Sequence, residues 1–139
     1  MIRKITFALA FLLLTTACSR VTPPAKENML KNKSFVYLFV STEKECLESQ
    51  PEPGFFYNCH QQVDFYKDNN VEIMLTDIIY RGKYEMQGNT VILTFEHAPE
   101  IPNGVILFEV LNGAKLLELN HEIEQEKVWT KISGNSIWR

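Results

Sequence analysis

This sequence predicts an all-β fold, an antiparallel up-and-down meander of about eight strands closing into a small barrel. Three observations predict it. Apolar and polar residues alternate with period two through residues 63–95, VDFYKDNNVEIMLTDIIYRGKYEMQGNTVILTF, as a strand with one buried face requires. The alternation is broken by turn chemistry at Lys67-Asp68-Asn69-Asn70 and at Gln87-Gly88-Asn89, and Asn112-Gly113 is a further hairpin signal beyond it, since Gly and Asn accept positive φ at little steric cost. After residue 32 no apolar period of helical type runs beyond a turn or two.

Residues 1–17 precede that fold. Arg3 and Lys4 lead into an apolar run over residues 5–14, shorter than the ~20 residues that span a bilayer. A basic start, a short apolar stretch and a small residue before a cleavage point mark an export signal peptide. The ending Leu14-Thr15-Thr16-Ala17-Cys18-Ser19 resembles the lipobox of bacterial lipoproteins, with Thr15 where an aliphatic residue is usual. That resemblance implies cleavage before Cys18 and lipid attachment at Cys18. Its acyl chains would anchor the protein at ~0.8 kcal/mol per buried methylene. Ser19 is similar to the outer-membrane sorting pattern of enteric bacteria, which implies an outer-membrane protein facing the periplasm. An ordinary signal peptide with Cys18 incidental is the other reading. Residues 18–32 then read as the lipidated cysteine and a polar tether with Pro23-Pro24, and residues 33–139 as the barrel.

Within the barrel, residues 34–40 form a first strand that is apolar on both faces, with Phe35, Tyr37 and Phe39 on one of them. An acidic loop with Pro51 and Pro53 as breakers follows, with one short helical turn at residues 44–48. Residues 55–66 read as a long strand with Cys59, Val63 and Phe65 in register. Val71, Ile73 and Leu75 share the buried face of the next, Tyr84 and Met86 that of its partner, and Val91, Leu93 and Phe95 that of the strand after Gly88-Asn89. Gly82, inside a strand pattern, suggests a bulge or a sharp bend that helps the sheet curl. Residues 97–104 form a rim loop, residues 105–111 and 114–123 a hairpin around Asn112-Gly113, and residues 128–132 close the set. Closure removes exposed sheet edges, which keeps a short all-β chain from aggregating.

The 139 residues carry a formal charge of −3 and 45% hydrophobic side chains, a composition that packs a core. Without residues 1–17 the chain keeps 12 basic against 17 acidic side chains. No basic patch stands out in the sequence, so nucleic acid is not an expected partner. With Cys18 lipidated, Cys46 and Cys59 are an even pair in an exported chain, and a disulfide between them is expected. The histidines His60, His97 and His121 show no metal-ligand spacing, and Cys59 and His60 point to opposite faces of a strand. Neither a metal site nor a cofactor is expected. No Gly-x-Ser-x-Gly elbow is present, and Asp64, Asp68 and Asp77 fall at turns or strand ends. Glu122, Glu124 and Glu126 read either as an acidic strip for a basic partner or as a solvated hairpin. Tyr57, Tyr84, Phe95, Phe108 and Trp129 either line a ligand cavity or fill the core. Eight strands leave room for little more than side chains.

The spacing Phe65-x-x-Asp68-x-x-Val71, Gly82-x-Tyr84, Gly88-Asn89-x-Val91-x-Leu93 and Leu111-Asn112-Gly113-x-x-Leu116-x-x-Leu119 is similar to small lipocalin-like domains of bacterial envelope lipoproteins. Among these it resembles the N-terminal domain of the copper-resistance and envelope-stress lipoprotein family. The resemblance covers residues 33–133 and implies the fold. The Cys-x-x-Cys pair of that family has no counterpart here, so no functional residue carries over. The function expected is that of a non-catalytic envelope lipoprotein. It would bind an envelope protein partner or a small apolar ligand through its rim loops, residues 43–54 and 97–104. Metal or redox sensing, or inhibition of a hydrolase, are the alternatives.

Overall fold

The computed structural model describes residues 29–119 and 126–138. The strands are β1 (Lys33–Leu38), β2 (His60–Phe65), β3 (Asn70–Met74), β4 (Ile79–Gln87), β5 (Thr90–Thr94), β6 (Val105–Val110), β7 (Lys115–Glu118) and β8 (Val128–Lys131), with one helix, α1 (Glu43–Glu48), between β1 and β2. Each strand pairs antiparallel with the next, and β8 returns to β1 through Phe35↔Lys131 and Val36↔Thr130, so the sheet is a closed eight-stranded barrel. The predicted fold class is the observed one.

Alternation decides what lies inside. Val71 and Ile73 on β3, Tyr84 on β4, Val91 and Leu93 on β5, Phe108 on β6, Leu116 on β7 and Trp129 on β8 point inward and are buried. Aromatic rings meet edge to face across this interior, Phe35 on Phe65 at 5.9 Å, Phe65 on Tyr84 at 5.0 Å and Phe108 on Trp129 at 5.4 Å. This is the arrangement that the ring quadrupoles favour. Tyr84, Phe95, Phe108 and Trp129 therefore fill the core. Tyr57 does not join them; it is exposed on the β1–β2 connection.

Several expectations from the sequence are corrected. The long strand over residues 55–66 begins only at His60, because β1 ends at Leu38 opposite His60 and leaves residues 55–58 no partner strand. Residues 29–32, assigned to the tether, belong to the fold. Leu30 is fully buried and its carbonyl accepts from the Lys33 amide at 3.0 Å. Asn112-Gly113 lies in a four-residue connection rather than a two-residue hairpin, with the Asn112 side chain accepting from the Ala114 amide. The strand predicted over residues 114–123 ends at Glu118, and residues 120–125 lie outside the described residues. The Gly88-Asn89 turn holds as read, with Gly88 at φ +66 between the paired Gln87 and Thr90.

Gly82 is not at a bulge, since the β3–β4 register runs unbroken through Val71↔Gly82. It permits a close approach instead. A Cβ there would meet the Thr94 carbonyl oxygen and lie 2.7 Å from the Phe95 ring. Gly82→Ala should lower stability by about 2–3 kcal/mol, because backbone and a buried ring must both shift. Urea unfolding of the two proteins checks this.

The up-and-down order sorts the connections into two ends. The chain enters at the proximal end, with Leu30 beneath the core and Met29 beside Gly113. Here the links are short, residues 66–69, 88–89 and 111–114. The distal end carries the long links, residues 39–59, 75–78, 95–104 and 119–127. Ile101, held by its amide to the Ala98 carbonyl at 2.9 Å, is buried there.

Candidate functional site

The distal end is built around the β1–β2 connection. Thr42 caps α1, its hydroxyl accepting from the Glu45 amide at 3.1 Å, while the Glu45 carboxylate accepts from the Ser41 amide at 2.8 Å. This is the reciprocal logic of a capping box. Glu43 and Glu45 in the first turn suit the helix dipole. The cap turns Cys46 inward, where it is disulfide-bonded to Cys59 with the Cα atoms 5.7 Å apart.

Gln50 then locks the returning chain. Its Nε2 donates to the Cys46 carbonyl at 2.9 Å and to the Tyr57 carbonyl at 3.3 Å, and its Oε1 accepts from the Tyr57 amide at 2.6 Å. The same Nε2 lies 3.6 and 3.7 Å from the sulfurs of Cys46 and Cys59. Disulfide and amide together fix a segment that no strand pairs with.

What this frame presents is apolar. Phe55, Phe56 and Tyr57 are 53%, 64% and 55% exposed and Leu47 58%. An open groove of about 540 Å³ runs between Leu47, Pro51, Pro53, Phe55 and Phe56. Asn58 ties the segment to the next distal link, donating to the Thr76 carbonyl at 3.0 Å. Of the ten large apolar side chains that stand exposed among the described residues, Phe39, Leu47, Phe55, Phe56, Tyr57, Ile78, Ile79 and Leu119 are distal; only Tyr66 and Leu111 are not. The distal ones share one end of the barrel, whereas singly scattered exposed apolar side chains need no explanation.

The same end is acidic. Glu43, Glu45, Glu48, Glu52, Asp77, Glu96, Glu100 and Glu126 are exposed there, against Lys44 and Lys127. Lys127 is engaged inward. Its Nζ lies 3.0 Å from the buried Glu118 carboxylate and about 5 Å above the rings of Tyr37 and Trp129, at 5.3 and 5.1 Å. Glu118 also accepts from the Trp129 indole at 3.0 Å. An inward carboxylate at the distal mouth is thus paired on two sides, as a buried charge must be.

No protein-family model, curated protein or solved structure matches this chain.

The other candidate residues are dispersed. Cys18, His121, Glu122 and Glu124 lie outside the described residues. His60 is half-buried and burial lowers its pKa, so the ring favours the neutral form. His97 is exposed on the β5–β6 link, and no three His, Cys, Asp or Glu side chains cluster as metal ligands among the described residues. Asp64 accepts from Gln62 at 2.9 Å, Asp68 sits in a positive-φ turn, and Asp77 is exposed in the β3–β4 link. Two residues that matter here carry no sequence signal of their own. Gln50 is one polar residue in a polar loop; the parity of Glu118 with Leu116 is its only inward cue.

Reducing the disulfide should destabilise the protein by about 3 kcal/mol, the chain-entropy value for a closed loop of about 15 residues. The barrel ladder contains neither cysteine. The reduced protein should therefore keep its sheet circular dichroism while amides of residues 46–58 exchange faster. Global loss of the sheet signal on reduction would refute the local role.

Proposed function

We propose that this protein is a non-catalytic cell-envelope lipoprotein, anchored through Cys18, whose distal loop end binds a protein partner. The observation that carries the reading is the clustering of exposed aromatic side chains with carboxylates on a loop held by a disulfide. Aromatic anchors supply binding energy and are enriched at interfaces. Rigidity cuts the ordering cost of association. A surface that is both apolar and acidic selects a partner presenting basic residues around an apolar contact, because opposite potentials speed encounter and reject acidic proteins. The core supports a partner over a small apolar ligand as the bound species, since the inward side chains of β1 to β8 fill the interior.

A second reading has one specific observation behind it. A pinned, proline-flanked loop projecting Phe55 and Phe56 has the form of a blocking element, so inhibition of a basic hydrolase is one use of the same surface.

The test is site-specific photocrosslinking in intact envelopes, with the probe at Phe56 or at proximal Asn112. The reading expects a discrete adduct with a basic protein from position 56 only, reduced at least tenfold by Glu48→Lys with Glu52→Lys. Equal adducts from both positions, or adducts insensitive to the charge reversal, would refute it. A wild-type protein that labels with no fatty acid would sink the anchor alone.

A further inference from the structure

The barrel is charged oppositely at its two ends, and the proximal end has had no role so far. Lys31, Lys33, Lys67, Lys115 and Lys131 come from four separate parts of the chain and meet there. Pairing brings them to one end: Lys33 lies opposite Phe65, two residues before Lys67, and the Lys131 amide donates to the Ala114 carbonyl beside Lys115. Asp68 is the one carboxylate in the proximal links among the described residues; Lys33, Lys115 and Lys131 are terminal strand residues, and Asp64, Glu85 and Glu109 lie one or two residues inside the strand ends. A closed barrel has no edge strand for lysines to protect. Solubility does not account for the polarity either, since charge of either sign at either end serves it equally.

We propose that the proximal end is a membrane-contact surface for anionic phospholipid headgroups. Charge complementarity and chain path both select this occupant. The described chain begins at that end, and ten residues separate Met29 from Cys18, a reach of at most about 40 Å when fully extended. Lysines attract an anionic surface only within about 8 Å at physiological salt, so the contact is short-ranged, and an anchor at Cys18 would strengthen it without being required for it. Each lysine brought there raises the partition roughly fivefold. Tyr66 and Leu111 are the large apolar side chains exposed at this end among the described residues, and Tyr is enriched at bilayer interfaces. The contact aims the acidic distal end away from the lipid. It stands whether or not Cys18 is acylated.

The experiment uses the full-length protein extracted from membranes and mixed with vesicles of phosphatidylcholine alone, or with phosphatidylglycerol added. Flotation reports retention, and brief amine labelling read by mass spectrometry reports each lysine. Lys44, 83% exposed at the distal end, is the internal control. The proposal expects labelling of Lys31, Lys33, Lys67, Lys115 and Lys131 to fall roughly fivefold on the anionic vesicles. Labelling of Lys44 should stay unchanged, and high salt should reverse the protection. Equal labelling on the two vesicle types overturns it. Retention on anionic vesicles only supports the surface and removes the lipid anchor; retention on neither overturns both.

Discussion

Leu93→Asp should abolish folding of the barrel. Leu93 is fully buried on β5, opposite Tyr84 of β4 and Ile106 of β6. The substitution removes a buried aliphatic side chain, a loss of about 2–5 kcal/mol. It also leaves a carboxylate without a partner, at an effective cost of several kcal/mol. Together these match the whole stability of a typical domain, about 5–15 kcal/mol. Urea unfolding followed by circular dichroism is the measurement, and no cooperative transition should remain. Thr94→Asp is the control, because Thr94 is exposed on the same strand and a surface change away from special features falls within about 0.5 kcal/mol. A Leu93→Asp protein that unfolds cooperatively near the wild-type midpoint would disprove the inward assignment of β5.

Trp129→Ala should cost about 4 kcal/mol, within the range for a buried Trp, and should act at one place. Trp129 is fully buried, packs edge-on against Phe108, donates to Glu118 and lies beneath the Lys127 ammonium. It also sits on β8, which meets β1 through the register pairs Phe35↔Lys131 and Val36↔Thr130. The seam that closes the barrel is therefore its shortest pairing, and Trp129 braces it. Hydrogen exchange should rise first at Ile132, whose amide donates across the seam to the Ser34 carbonyl of β1. An opened seam exposes two strand edges, so the variant should also self-associate. Trp129→Phe separates the parts. It keeps a ring in the core but removes the donor to Glu118, at about 2 kcal/mol for a hydrogen bond to a charged group. Equal losses for the two variants would show that the polar pair, rather than packing, holds the seam.

Neither residue lies in the β1–β2 connection, so both substitutions report on the barrel rather than on that loop. The loop depends on Gln50 and the Cys46–Cys59 bond; the barrel depends on its inward side chains. A protein divided in this way can vary its distal surface while keeping one scaffold.

The barrel was legible in the sequence because its causes are local. Val91, Leu93 and Phe95 alternate with Ile92 and Thr94, and that period alone assigns the inward face. Gly88-Asn89 names its own turn, because positive φ is a property of the residue. The cysteine pair was legible by count, as the two thiols left over once Cys18 is read as lipidated, and the Cys46–Cys59 bond bears that expectation out. The tertiary structure decided everything that rests on neighbours distant in sequence. Residues 55–58 look like a strand, but pairing needs a partner and β1 ends too early to supply one. Leu30 looks like tether until the barrel offers it a buried place. Glu118 becomes a paired charge only when β7 lies beside β8 and Lys127 bends over Trp129. The two oppositely charged ends are invisible along the chain, because lysines and carboxylates are interspersed there. The antiparallel order sorts them by returning alternate connections to opposite ends of the barrel.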